Sequence, residues 1–388
     1  MRTFVVSRLM KVLLIANYEP DAQQSMLRYA EFLRHGMEQQ GHQVEVIHPP
    51  SVVGGLVAVG NPLRKWLGYI DKFVLFPAQL RMKAKNADLV HVCDHSNACY
   101  LRWTGKTPQL ITAHDVLAIR SALGHFPQSP TGRTGKWLQR WILKRLTSAR
   151  HIISVSAKTK DDLEALLPSK PEIRVIHHSL NWQYEPATKA EIEAVRAAFA
   201  LNAGDEYLLN VGSNQWYKNR IGVLKIVLHL RKYERFRNVK LVMAGKPWTE
   251  EMRAFCREHA LGDVIEFVSP SNEQMRALYS GALAFLFPSL EEGFGWPVLE
   301  AQACGCPVIT SDRPPMTEIA GEGAILINPE NAAAAAQIID ARMVKVESLR
   351  LAGWENLKRF AIDDVMKCYN DVYESVIADS TKTNPVST

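Results

Sequence analysis

The stretch Ser289-Leu-Glu-Glu-Gly-Phe-Gly-Trp-Pro-Val-Leu-Glu-Ala301 decides how the chain is read. The apolar run Ala282-Leu-Ala-Phe-Leu-Phe287 leads into it with the length and composition of a buried strand. Glycines fill its middle, and Pro297 suits the first turn of a helix, where its fixed φ is preorganised and its missing N–H would be unpaired anyway. The unit is therefore strand, loop, helix. Glu292 lies in the loop and Glu300 about two turns into the helix, with seven residues between them. Gly293 and Gly295 let the backbone approach a ligand closely, and the helix N-terminus behind them offers unpaired N–H groups and a partial positive charge to a phosphate. Two carboxylates beside such a seat suit a polyhydroxylated ligand that carries phosphate, one acid holding a ribose and the other a sugar ring. The same spacing equally describes a solvated loop acid and a helix-surface acid beside a turn.

Glu292-Gly-Phe-Gly-Trp-Pro-Val-Leu-Glu300, continued by Ala301-Gln-Ala-Cys-Gly-Cys-Pro-Val-Ile-Thr310, resembles the E-x7-E signature of the family-four retaining glycosyltransferases (glycosyl transferases group 1). The likeness runs more weakly from Met10 to about Ala378. It implies an α/β protein of the GT-B fold, with two doubly wound, parallel-sheet Rossmann-like domains facing a cleft. Residues 1–185 would form the acceptor-binding domain and residues 200–360 the nucleotide-sugar-binding domain, with a C-terminal helix at about 360–378 crossing back onto the first.

Composition agrees with two domains. A chain of 388 residues holds two sizeable cores, and 47% hydrophobic with 22% charged residues is ordinary for a globular protein. No run approaches the length of a membrane span, and residues 1–9 have no apolar core long enough for a secretory signal, so they read as an extra start before the natural first strand at Met10. A cytoplasmic location is the resulting expectation, with disorder confined to the Ser/Thr-rich tail after Asp379. Six scattered cysteines, at 93, 99, 256, 304, 306 and 368, form no Cys-x-x-Cys pair and read as reduced structural thiols. Cys304 and Cys306 stand where the family places small residues, which implies packing.

Charge is unevenly divided. Residues 1–180 carry 24 Lys+Arg against 13 Asp+Glu, net +11, and the remainder carries 22 against 27, net −5, which together return the +6 of the whole. A basic first half points to an anionic acceptor or to the inner face of an anionic membrane. Nothing points to nucleic acid. Two stretches concentrate the charge among aromatics. In Pro62 to Lys85, Trp66, Tyr69, Ile70, Phe73, Leu75 and Phe76 are interleaved with basic residues; Arg133-Thr-Gly-Lys-Trp-Leu-Gln-Arg-Trp-Ile-Leu-Lys-Arg-Leu146 holds five basic residues and no acid, with Trp137 and Trp141 on one helical face. Each reads either as a basic amphipathic face for an anionic leaflet or as a domain helix with a solvated basic back.

The first strand, Val12–Ala16, ends at Asn17-Tyr-Glu-Pro20, and Asp21 with Gln24 three residues on has the pattern of a helix capping box. The family often carries a Gly-Gly pair in this loop, and this chain does not. Later strands are expected at 41–47, 88–92, 109–113, 152–156 and 173–178, and, after a break near Tyr184-Glu-Pro186 and a helix over 189–200, at 207–211, 240–244, 264–268, 282–287, 308–310 and 324–327. The domain boundary is placed at about 185–205. His91, Asp94 and His95 have the residue types of a metal cluster, but strand alternation sends neighbours to opposite faces, and a structural role is the expectation. His114 of Thr112-Ala-His-Asp115 matches the His-Asp dipeptide that the family carries at this strand end.

Val211-Gly-Ser-Asn-Gln-Trp-Tyr-Lys-Asn219 resembles the family's Val-Gly-x-x-x-x-x-Lys segment. By this resemblance Lys218 and the amides of Gly212, Gly293 and Gly295 meet the donor diphosphate, with Ser213, Phe294 and, as substitute for an arginine common at position 213, Arg220 in the same donor site. Glu292 meets the transferred sugar, Glu300 the ribose, and His114 the sugar and phosphate near the reacting carbon; His114, Glu292 and Lys218 are the residues expected to carry catalysis. The reaction implied is retaining transfer from a nucleotide diphosphate sugar to a carbohydrate or lipid-linked acceptor in glycan, polysaccharide or glycolipid synthesis. No cofactor is implied beyond the donor, and no Asp-x-Asp occurs to bridge a metal to the diphosphate. A nucleotide-sugar 2-epimerase shares the two-sheet plan, and a non-catalytic nucleotide-sugar-binding subunit would show the same missing Gly pair and Ser213. The absence of Gly-x-Gly-x-x-Gly after either first strand disfavours a dinucleotide oxidoreductase.

Overall fold

The computed structural model describes residues 9–58, 61–199, 201–202 and 204–383. The proposed extra start before Leu9, position 200 of the expected 189–200 helix and the end of the Ser/Thr-rich tail lie outside these residues. The chain divides into two compact units, Met1–His177 with Ile362–Thr388, and His178–Ala361. The division falls earlier than the expected 185–205, because the intervening segment packs into the core of the second unit. Tyr184 is buried in that core, and the Trp296 indole donates to the carbonyl of Ser179 at 3.0 Å.

Six strands build the first unit's sheet: β1 (Lys11–Ile15), β2 (Gln43–Ile47), β3 (Leu89–Val92), β4 (Gln109–Ala113), β5 (His151–Ser154) and β6 (Glu172–Val175), all parallel in the order β2-β1-β3-β4-β5-β6. The interior strand β3 is buried along its whole length, as expected of a strand covered on both faces. The helices are α1 (Gln24–Gln39), α2 (Pro62–Ile70), α3 (Phe76–Ala84), α4 (Leu117–Leu123), α5 (Arg133–Leu146) and α6 (Ala157–Leu166). A π-turn, Asp71–Leu75, joins α2 to α3 without a break in helical backbone. Asp21 does not cap α1. It ends a short 3-10 turn, Glu19–Asp21, that closes on Ala22 in the left-handed region, and α1 starts at Gln24 with no side-chain cap.

The second unit opens with α7 (Lys189–Ala198), started by a true capping box in which Thr188 and Glu191 bond each other's backbone. Its strands are β7 (Tyr207–Gly212), β8 (Lys240–Gly245), β9 (Val264–Val268), β10 (Ala284–Phe287), β11 (Val308–Ser311) and β12 (Ala324–Ile327), parallel in the order β12-β11-β10-β7-β8-β9. Between them run α8 (Arg220–Leu230), α9 (Glu250–Glu258), α10 (Asn272–Gly281), α11 (Trp296–Ala303) and α12 (Met316–Ala320), followed by α13 (Ala332–Arg342) and α14 (Val346–Leu357). Cys304 and Cys306 are buried free thiols in this core, and burial pushes the Cys304 thiol up to about 12.

The last helix, α15 (Ile362–Thr383), belongs with the first unit. Met366 presses into the space left by Gly36, where a Cβ would stand 2.3 Å from its sulfur. Two fully buried tyrosines one turn apart, Tyr369 and Tyr373, are the two ends of one chain of hydrogen bonds: Tyr369 OH to Tyr29 OH at 2.8 Å, Tyr29 OH to Thr112 Oγ1 at 2.9 Å, Thr112 Oγ1 to His91 Nε2 at 2.7 Å, and His91 Nδ1 to Tyr373 OH at 2.7 Å. Among the described residues no helix is long and apolar enough to cross a membrane.

Candidate active site

In the second unit, β7 and β10 are neighbours although two strands and their helices separate them in sequence. At this point the chain turns away in opposite directions, and the loops at the carboxyl ends of the two strands frame the place where doubly wound sheets bind ligands. The sequence-expected residues of this unit fall around these loops.

Lys218 ends a 3-10 turn, Trp216–Lys218, after β7, and Glu292 lies in the loop after β10. Lys218 Nζ is 2.6 Å from Glu292 Oε1, with side-chain exposures of 18% and 8%. The pair is desolvated enough that neither charge is fully screened by water. Ser289 donates its hydroxyl to the same Oε1 at 2.8 Å. The Leu290 amide donates to Tyr217 O at 2.7 Å, which ties the two loops together directly. Asn219, in the left-handed region, donates to Pro288 O at 3.0 Å and to Pro329 O at 3.1 Å, adding the loop after β12.

Gly295 caps α11 at φ +105°, a conformation that demands glycine, and a Cβ there would also have to displace the Met316 methyl, 2.4 Å away. Glu300 sits half-buried on α11 and accepts from the Tyr279 hydroxyl at 3.0 Å. Burial first, and then the Glu300 charge, raise the Tyr279 phenol well above its usual range, so it stays a donor. Phe294 is buried against His178, Trp296 and Phe360, so its side chain braces the loop. Gly212 and Ser213 are half-buried at the end of β7, the aliphatic stem of Lys218 lying over Gly212. Arg220 is drawn inward at the start of α8, donating to Asn214 Oδ1 at 2.5 Å and to Lys246 O at 2.8 Å. It thus joins the loop after β7 to the loop after β8. Ser289 and Tyr279 were not singled out from sequence; Ser289 opens the decisive stretch three residues before Glu292, which was the available signal.

In the first unit, His114 is buried at the end of β4 and donates from Nε2 to the carbonyl of Cys93, at the end of β3, at 2.9 Å. Burial lowers its pKa against the pull of Asp94, so the ring is held neutral with a fixed tautomer. The Tyr29 ring packs edge-on at 4.6 Å between centroids. His91, Asp94 and His95 do not converge on one point. His91 gives both ring nitrogens to Thr112 and Tyr373, while Asp94 contacts His95 Nδ1 at 3.0 Å and accepts from Ser96 Oγ at 2.6 Å and from Asn17 at 2.7 Å. Burial favours the neutral acid at Asp94, but His95 and these donors outweigh it and hold the carboxyl below its usual range.

Residues 191–350 match the family model of the glycosyl transferases group 1, and residues 26–181 that of glycosyltransferase family 4. The chain is a glycosyltransferase of this group with the GT-B fold. The O-antigen chain mannosyltransferase RfbU of Salmonella typhimurium is 27% identical to this glycosyltransferase over 290 residues, covering 74% of this chain and 73% of the relative. The GDP-mannose:cellobiosyl-diphosphopolyprenol alpha-mannosyltransferase of Xanthomonas oryzae is 24% identical over 331 residues, 82% of each chain. Among solved structures, Anabaena HepE in complex with UDP and glucose superposes with a TM-score of 0.68 at 14% identity, over 94% of this chain and 100% of that one.

Proposed function

We propose that this glycosyltransferase moves mannose from GDP-mannose to a lipid-linked carbohydrate acceptor with retention at the anomeric carbon. The observation that carries the donor half is the Lys218–Glu292 pair, set on two tied loops at the switch point of the second sheet. A cation there offsets charge growing on a departing diphosphate, and a carboxylate beside it accepts sugar hydroxyl hydrogens. When donor binds, Lys218 exchanges Glu292 for phosphate oxygens, which frees Glu292 for the sugar. The amides of Gly212, Gly293 and Gly295 complete the diphosphate seat, and Glu300, oriented by Tyr279, takes the ribose. His114, kept neutral in the first unit, is the residue to which the family resemblance gives the sugar and phosphate.

Retention needs no enzyme nucleophile in this scheme. The acceptor hydroxyl attacks from the face that the diphosphate leaves; the new glycosidic C–O bond forms as the old one breaks, and the leaving phosphate oxygen takes the acceptor's proton. The enzyme's part is positioning and electrostatics, with no metal or further cofactor. The choice of mannose and of a lipid-linked acceptor is supported by the names of the relatives and by the basic first unit. The same reading puts the enzyme on the cytoplasmic side of a membrane.

The test is thermal shift and slow hydrolysis across a panel of nucleotide sugars, in the presence of EDTA, wild type beside Glu292→Ala. GDP-mannose should stabilise the wild type and release mannose, and the variant should lose the release. Preference for another donor would overturn the mannose assignment. Conversion to an epimeric sugar, or binding without any turnover even with acceptor supplied, would overturn the transfer reaction itself.

A further inference from the structure

We propose that the outer face of α2, its π-turn and α5 is an attachment surface for an anionic lipid bilayer, with Trp66 and Trp137 entering the headgroup region. The inference rests on the reading of an acceptor presented at a membrane, and it names the surface.

The continuous helix from Pro62 onward is apolar on two sides. Its inner side buries Gly68, Phe76 and Leu80, as a domain helix must. Its outer side nevertheless carries Leu63, Trp66 and Ile70 at helical spacing i, i+3, i+7, exposed by 61, 60 and 40%. A core role accounts for the first set and leaves the second without one. Asp71 is the stretch's acid, and it is turned inward and fully buried, accepting from Tyr18 OH and the Val53 and Gly54 amides, each at 2.8 Å. The exposed charge of this stretch is therefore positive.

Helix α5 repeats the arrangement. Ile142 and Leu146 point into the core, while Arg133, Lys136, Trp137, Arg140 and Lys144 share the exposed face, with Trp137 exposed by 70%. The two elements form one surface, because a run of ring contacts joins them. Trp66 meets Tyr69 edge-on at 5.7 Å, Tyr69 stacks on Phe73 at 5.7 Å, Phe73 meets Trp141 at 5.2 Å, and Trp141 stacks on Trp137 at 6.2 Å between centroids. Each end of this aromatic run is an exposed tryptophan beside exposed basic side chains.

Charge selects the occupant. Aromatic rings with an apolar body and a polar edge settle at the headgroup level, and lysine and arginine at that depth meet anionic lipid. A second copy of the chain across a two-fold axis would set the basic stripe of α5 against its own duplicate, so self-association is opposed by like charge.

The experiment is co-sedimentation of the full chain with vesicles of phosphatidylcholine, alone or with one-third phosphatidylglycerol, without any sugar nucleotide. Binding should require the anionic lipid and fall as salt rises. Lys136→Gln with Arg140→Gln should weaken it by roughly 25-fold, about fivefold for each charge. Trp66→Ala with Trp137→Ala should abolish insertion, read as loss of quenching of tryptophan fluorescence by brominated lipid. All four positions are exposed, so circular dichroism and thermal unfolding should match wild type. Equal binding to neutral and anionic vesicles, or unchanged binding by both variants, would overturn the proposal. A tryptophan variant that changes the oligomeric state with vesicle binding intact would assign the face to self-association instead. Donor hydrolysis in solution, measured in parallel, should be the same in wild type and both variants; its failure would count against the donor site and leave the lipid surface standing.

Discussion

Lys218 and Glu292 form a 2.6 Å ion pair between loops that leave adjacent, non-consecutive strands of one sheet. Ser289 adds a second donor to the same carboxylate oxygen. In the donor-free protein each charge compensates the other at a place largely shielded from water, so removing one strands its partner. Lys218→Met and Glu292→Gln should each lower donor turnover by ~100-fold or more, the scale seen when one preorganised electrostatic partner is lost. A double-mutant cycle on thermal stability should return a coupling of about 1–3 kcal/mol. Additive stabilities would show that the pair does not compensate in the free enzyme.

Tyr279 and Glu300 define the next expectation. The phenol donates to Glu300 at 3.0 Å and so fixes the aim of a carboxylate that can accept more than one hydrogen bond. If that ligand is the ribose of the donor, the wild type should prefer the ribonucleotide sugar over its 2′- or 3′-deoxy counterpart by roughly tenfold, the worth of one hydrogen bond to a charged acceptor. Glu300→Ala should remove the preference. Tyr279→Phe should raise the donor KM with a smaller change in kcat, since it disturbs aim and not charge. A Glu300→Ala enzyme that keeps the deoxy discrimination would move the ribose elsewhere.

The fold, and the gathering of Lys218, Glu292 and Glu300 around one sheet edge, were readable where the controlling physics is local. Glu292, the glycines and Glu300 belong to one strand-loop-helix unit whose spacing is set by backbone geometry, and Lys218 comes a short fixed distance after its own strand and Gly212. The missed parts depend on partners remote in sequence. Tyr279 reaches Glu300 from α10, and Asp71 is turned inward by Tyr18 and by amides that precede α2. The capping box at Asp21 failed for the converse reason: the tight turn Glu19–Asp21 and the left-handed Ala22 took up the residues that would have begun the helix. The domain boundary slipped because His178 is stacked on Trp296 at 4.2 Å, a contact no local pattern announces.

His91 makes acid stability a readout of the first unit's core. Burial lowers its pKa from 6.5 to about 3, with His114 adding to the effect. The unfolded chain therefore binds the proton first. The stabilisation from keeping this ring neutral is fully present above pH 6.5 and is lost as pH falls from there toward 3, with a slope approaching about 1.4 kcal/mol per pH unit. His114 is shifted in the same direction, so wild-type stability should fall in that window by more than one histidine requires. In urea melts between about pH 7 and about pH 4.5, His91→Gln should be less stable than wild type at neutral pH and show a shallower decline. A parallel decline would mean that His91 does not carry the proton linkage.

The hydrogen-bond chain Tyr369–Tyr29–Thr112–His91–Tyr373 begins and ends on the C-terminal helix, and each hydroxyl in it has one hydrogen to give. The neutral imidazole of His91 donates from one nitrogen and accepts at the other, so its tautomer decides whether Tyr373 accepts or donates, while each hydroxyl further along can accept from both of its neighbours. Tyr373→Phe removes a terminal group and leaves His91 Nδ1 buried without its partner, which should cost about 1–3 kcal/mol. Tyr369→Phe removes the other end, while Tyr29 keeps its bond to Thr112, so its cost should lie at the low end of that range. Because both ends belong to one connected chain of hydrogen bonds, the double variant should depart from the sum of the singles. Calorimetric melting of the four proteins decides it. Strict additivity would show two independent hydrogen bonds, and a helix held chiefly by packing such as Met366 against Gly36.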